Sequence, residues 1–160
     1  MEKEFAFKYE EFASEEALPS AWRNLLQEAG KARLAAYAPY SDFLVGAAVL
    51  LENGTIVGGN NQENASYPVG ICAERVTLTS AASRFPESRM LALAITAGGR
   101  TRMTAKPVTP CGICRQTILE YENRYHQPIQ IILQGNEGPV LVFKTAKDLL
   151  PMAFRSEDFK

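Results

Sequence analysis

Three cysteines and one glutamate are the residues of this 160-residue chain whose types and spacing could do chemistry together. Cys72 stands two residues before Glu74, in Cys72-Ala73-Glu74-Arg75. Cys111, 39 residues after Cys72, pairs with Cys114 in Pro110-Cys111-Gly112-Ile113-Cys114-Arg115-Gln116. Each segment lies where a loop is expected to run into a helix. A helix N-terminus carries partial positive charge and free N–H groups, so it favours thiolate, the form of cysteine that binds metal. Cys111 and Cys114 are one turn apart and can reach one ion, and Cys72 arrives from a second helix to complete the set. Three protein ligands leave the fourth position of a tetrahedral zinc ion open, as catalytic rather than structural sites do. Glu74 can point beside that position, where a carboxylate takes a proton from zinc-bound water and hands it on. Three thiolates around one Zn²⁺ carry net negative charge. Arg75 and Arg115, each directly following a key residue, are expected to offset it by hydrogen bonding to sulfur. The single histidine, His126, would sit roughly 18 Å along a continuous helix from Cys114, so it reads as a surface helix-end residue and not as a fourth ligand.

The elements that must position these residues can be read from periodicity and breakers. Residues 20–37 have helical spacing, with Ser20 as candidate N-cap and Pro39 beyond the end. Residues 43–51 are apolar and read as a strand. Asn53-Gly54 signals a two-residue hairpin returning over 55–59, since both types tolerate positive φ. An Asn-rich loop over 60–71, with Pro68 and Gly70, leads to a helix over 73–85. Residues 90–97 form an almost wholly apolar run, as expected of a strand covered on both faces. A polar loop over 100–110 precedes a helix over 112–125. Strands over 129–133 and 140–143 and a short helix over 146–150 complete the chain. Helices alternating with strands after an opening hairpin predict an α/β fold, a three-layer α/β/α sandwich on a five-stranded mixed sheet. Residues 20–160 form one domain. Residues 1–19, charged and punctuated by Pro19, are read as an N-terminal extension that packs on it or is partly mobile.

Composition bounds the partners. The net charge is −1, and no apolar run approaches the ~18 residues needed to span a membrane. Neither a nucleic-acid partner nor a membrane is expected. Arg100, Arg102 and Lys106 read as a solvated basic loop. The charged start Met1-Glu2-Lys3-Glu4-Phe5 has no apolar signal core, and an odd number of cysteines suits a reducing compartment, so the cytoplasm is expected.

At the cysteine segments the sequence resembles the cytidine deaminases of the zinc-dependent nucleoside deaminase family, whose ligand signature and mechanism are a known pattern. Tyr40 to Ala48 is similar to that family's first strand, Gly59 to Pro68 to its nucleoside-binding loop, and Asp148 to Phe154 to its C-terminal segment. The resemblance covers about residues 20–158, and residues 1–19 precede the family's usual start. Cys72 as first ligand resembles the small homotetrameric branch. The resemblance implies one Zn²⁺ per subunit and hydrolysis of cytidine and 2′-deoxycytidine to the uracil nucleoside and ammonia, in pyrimidine salvage. It implies that Phe43 packs on the pyrimidine ring and that Asn61 and Glu63 hydrogen-bond the ribose 3′-hydroxyl. Ala73 would meet the base edge through its backbone, and Ala65 would belong to the same binding loop. Tyr67 and Phe154 would reach into a neighbouring subunit's site. Asn and a carboxylate two residues apart can grip a hydroxyl as donor and acceptor on chemical grounds alone. Two other readings of the same motifs are a deaminase of a modified cytosine nucleoside or nucleoside antibiotic and a catalytically silent zinc-stabilised interaction module.

Overall fold

The computed structural model, which describes residues 1–100 and 104–159, has one six-stranded sheet with helices on both faces. In chain order the elements are β1 (Glu10–Phe12), α1 (Ser20–Arg33), β2 (Phe43–Leu51), β3 (Ile56–Asn60), α2 (Ala73–Arg84), β4 (Met90–Gly99), α3 (Gly112–Tyr125), β5 (Gln130–Gln134) and β6 (Val140–Phe143). The strands are ordered β1-β6-β5-β4-β2-β3. β4 and β5 run parallel, and every other neighbouring pair is antiparallel. This is the mixed α/β/α sandwich expected from the sequence.

Successive side chains of a strand point to opposite faces, and the register turns that alternation into two apolar rows crossing the sheet. Ala47, Ile95, Leu133 and Leu141 stand side by side on the face covered by α2 and α3. Ala48, Ala94, Ile132 and Val142 do the same on the face covered by α1, beneath Leu25, Leu26 and Ala29. A sheet buried on both sides explains why β4 carries no polar alternation.

Four details correct the expectation. The sheet has six strands instead of five, because β1 from the N-terminal segment pairs with β6. Glu10 and Glu11 put charge on an edge strand that would otherwise invite a further chain. The same segment is pinned by Leu18, which is buried, by Phe12 edge-on to Trp22 at 6.5 Å, and by Arg23 donating to the carbonyls of Glu15 and Leu18. Second, α1 stops at Arg33 and Pro19 takes the N-cap position in place of Ser20. Tyr37 donates to the Asn61 carbonyl at 3.1 Å, which draws the chain off the helix axis toward the loop after β3. Third, Gly54 donates to the Leu51 carbonyl and Leu51 to the Thr55 carbonyl, both at 2.9 Å, closing a three-residue loop over 52–54. Only Gly54 has positive φ there (+83°), and Asn53 instead accepts the Thr55 N–H through its side chain. Fourth, the short C-terminal helix is a single 3-10 turn, Ala146–Asp148. Of the basic loop, Arg100 and Lys106 are exposed, and Arg102 lies outside the described residues. Among the described residues no helix is long and apolar enough to cross a membrane.

Candidate active site

α2 and α3 cover the same face of the sheet, and their N-termini meet. Cys72 is the N-cap of α2 and Cys111 the N-cap of α3, both with extended backbone. Their carbonyls accept the first helical hydrogen bonds, from Val76 at 3.1 Å and Arg115 at 2.9 Å. Neither side chain caps its own helix, so both sulfurs are left to face each other. Cys114, one turn into α3, is buried. Cys72 Sγ lies 4.0 Å from Cys111 Sγ, which lies 3.6 Å from Cys114 Sγ, and all three fall within 4.8 Å of one another. Sulfurs held at 2.3 Å around a tetrahedral zinc ion stand about 3.8 Å apart, so the trio fits that ion. Among the described residues no fourth His, Cys, Asp or Glu joins the group. His126 caps the far end of α3 in the left-handed conformation.

The sulfurs differ in acidity. The hydrogen bond from Cys114 brings the Cys72 thiol down to about 6, with further help from Cys111 and the charge of Arg75. Cys114 is pushed up, first by that same hydrogen bond to Cys72 and then by burial. Cys72 therefore ionises before Cys114. Glu74, only 5% exposed, has its carboxyl pushed above the usual range by burial. A carboxyl in that position holds a proton closer to neutral pH than a solvated one, as an acid–base group must.

Cys72, Cys111 and Glu74 border a cavity of about 390 Å³, with Cys114 buried behind the other two sulfurs. Phe43, Asn61, Glu63 and Ala73 line it as the sequence suggested, and so does Tyr67, which the resemblance assigned to a neighbouring subunit's site. Ala65 does not line it and is exposed on the loop outside, and Phe154, expected at a neighbouring subunit's site, lies against the outer side of α3, its carbonyl accepting from Gln116 Nε2 at 2.9 Å. The polar side chains of the loop are already committed to backbone. Asn61 Oδ1 accepts from the Val45 N–H at 2.8 Å, and its Nδ2 donates to the Phe43 carbonyl at 2.9 Å. Glu63 accepts from the Tyr40 and Ser41 N–H groups and from the Ser41 hydroxyl. The Ser41 hydroxyl, with Tyr40, holds the Glu63 carboxyl below the usual carboxylate range, so it stays an acceptor.

Arg75 acts on Cys72 by charge. The described hydrogen bonds of Arg115 go elsewhere than to sulfur: Nε to the Pro110 carbonyl at 2.8 Å, Nη1 to the Leu149 carbonyl at 2.9 Å, and Nη2 to Thr109 Oγ1 at 3.2 Å. Its position beside Cys114 suggested the sulfur, but its length carries the guanidinium past it to the preceding loop. The sequence reading also missed the apolar lining, namely Val45, Ile71, Ile95 and Val108, together with Thr109. Val45 and Ile95 had a signal, since they sit on strands that lead into the motif segments. Val108 and Thr109 had only their nearness to Pro110-Cys111.

A family profile described as the cytidine and deoxycytidylate deaminase zinc-binding region matches residues 20–126. A cytidine deaminase of Sporosarcina psychrophila is 44% identical over 134 residues, spanning 84% of this chain and 91% of the relative. One from Halalkalibacterium halodurans is 40% identical over 136 residues, spanning 84% and 94%. The crystal structure of cytidine deaminase from Burkholderia pseudomallei superposes with a TM-score of 0.71 at 40% identity, covering 82% of this chain and 97% of that one.

Proposed function

The chain belongs to the cytidine and deoxycytidylate deaminase family, and on that footing we propose that it is a zinc enzyme that hydrolyses cytidine and 2′-deoxycytidine. Water adds at C4 of the ring, the bond from C4 to the exocyclic nitrogen breaks, and the products are the uracil nucleoside and ammonia. The observation that carries this reading is three sulfurs spaced for one metal ion, two of them lining one cavity together with a buried Glu74.

Cys72, Cys111 and Cys114 would hold the zinc, which would supply the Lewis acidity that makes water a nucleophile near neutral pH. Glu74 would take a proton from the attacking water and give it to ring N3, then carry the proton of the new C4 hydroxyl to the departing amine. Its burial keeps bulk water from competing for those protons. Arg75 balances the negative charge of the three thiolates. Phe43 packs on the pyrimidine, and the Ala73 backbone meets the base edge. Asn61 has one N–H and one lone pair beyond its two bonds to β2, and Glu63 has one lone-pair direction beyond the three it uses. What remains is one donor and two acceptors, enough to grip a single sugar hydroxyl. Because the rest of their capacity ties down β2 and the 40–41 turn, both groups reach the ligand already oriented.

The same reading extends to a homotetramer in which Tyr67 and Phe154 complete a neighbour's site, with Ala65 in the same binding loop. It extends to residues 20–160 as one catalytic domain carrying an extension over 1–19, and to a cytoplasmic role in pyrimidine salvage, where thiolates stay reduced. Ammonia release from cytidine, deoxycytidine, cytosine and dCMP, measured side by side on zinc-loaded protein, tests the function. Turnover of the two nucleosides is expected. Turnover confined to dCMP, or none from folded protein, overturns it.

A further inference from the structure

One wall of the cavity is delivered by residues 104–111, which are in neither helix nor strand, and this segment is clamped at both ends. At its far end Arg115 holds Thr109 and the Pro110 carbonyl. At its near end Thr104 and Asn136 form a reciprocal pair. The Asn136 N–H donates to the Thr104 carbonyl at 2.6 Å, and the Thr104 N–H donates to Asn136 Oδ1 at 2.9 Å. Asn136 sits just past the end of β5, in a turn that is itself fixed. Buried Thr96 donates to the Gly135 carbonyl at 2.6 Å, and Gln134 Nε2 donates to the Gly138 carbonyl at 3.0 Å.

The approach is too close for side chains. A Cβ at Gly135 would stand 1.8 Å from the Thr104 carbonyl oxygen, and one at Gly98 would stand 1.6 Å from Asn136 Oδ1. Two strand ends have therefore given up side chains where Asn136 meets the loop. Val108 lies between the clamps and Thr109 at the second of them, and both line the cavity.

We propose that Asn136, which touches neither the sulfurs nor the cavity, is a positioning residue for this reaction: by fixing Thr104 it sets Val108 and Thr109 against the bound nucleoside. The inference rests on the cytidine deaminase reading above. Asn136 acts on the wall and not on Glu74 or the metal ligands, so its loss weakens nucleoside binding while the chemical step survives.

The test compares the zinc-loaded parent with Asn136→Ala and Asn136→Asp, reading steady-state kinetics on cytidine, zinc per chain, and hydrogen–deuterium exchange over residues 104–110. Asn136→Ala is expected to raise KM about tenfold with kcat within about threefold, the scale of one lost hydrogen bond felt in binding. Exchange over 104–110 should quicken while zinc content stays at the parent's level. Asn136→Asp keeps the acceptor oxygen and should stay near the parent in KM and in exchange. Asn136→Ser, too short to reach Thr104, takes the place of the alanine variant should that one not fold. Parent-like KM and exchange in Asn136→Ala would overturn the inference, as would a fall in kcat at unchanged KM or an aspartate variant that behaves like alanine. Exchange is read without substrate, so it decides the clamp by itself, whereas a parent that leaves cytidine unchanged overturns the reading of function instead.

Discussion

Glu74 is the residue on which the chemistry turns, because it is buried, faces the cavity beside the sulfurs, and is the one proton carrier in the scheme. Glu74→Ala should leave the fold and the zinc content unchanged and lower kcat by at least about a thousandfold, the upper part of the range for general acid–base groups. Zinc analysis, circular dichroism and cytidine turnover on one preparation check it, and a variant with more than a few per cent of parent turnover would show that another group moves the protons. Legibility at this scale followed how much of a residue's role is local. Cys72, Glu74, Cys111 and Cys114 were readable because their spacing along two helix starts nearly dictates where they point. Arg115 was misread because a long side chain beside a motif has many partners within reach, and here backbone carbonyls won over sulfur. Asn61 and Glu63 were readable as cavity residues, but not as braces for β2 and the 40–41 turn, since those partners lie 16 to 23 residues away.

The elements that were legible are those with a strong apolar period. β2, β6 and α3 have the bounds expected from their sequence, and β4 extends the expected run by two residues. β1 was not legible, because three residues reading Glu-Glu-Phe carry no strand pattern and gain their pairing only from the free edge of β6. Glu122 shows the same limit. On a helix it reads as a solvent-facing acid, yet it is 4% exposed and gathers three donors from two later segments. Its Oε1 accepts from the N–H groups of Ile129 and Ala146, both at 2.8 Å, and its Oε2 from the Thr145 hydroxyl at 2.7 Å. It thereby ties the end of α3 to the start of β5 and to the turn after β6. Glu122→Ala strands two buried N–H groups, which should cost about 3 kcal/mol or more. The urea midpoint should fall with the slope unchanged, and a loss below about 1 kcal/mol would show that the three donors find other partners.

At the scale of the molecule, what stands out is how much apolar surface surrounds the catalytic elements. Tyr67 and Val69 on the loop before α2, Ile113 in the first turn of α3, and Phe154 in the C-terminal segment are each more than 60% exposed. Exposed apolar residues gathered around a site mark a surface built to meet another protein. Phe154 lies outside its own chain's cavity, and the tetramer reading assigns it to a neighbour's. The sequence alone could offer this only through resemblance, because periodicity reports which residues leave water, not which chain covers them. Light scattering should give four times the 17.6 kDa chain mass. Phe154→Ala should then cost about tenfold or more in kcat/KM, in line with removing a well-packed aromatic from a contact. The decisive experiment mixes two damaged chains. Phe154→Ala retains Glu74, and Glu74→Ala retains Phe154, so co-expressed oligomers contain some sites with both groups intact, contributed by different subunits. Activity per zinc above the average of the two separate variants is the expected result. If the co-expressed pair stays at that average, Phe154 serves its own chain or no site at all, and each subunit works alone.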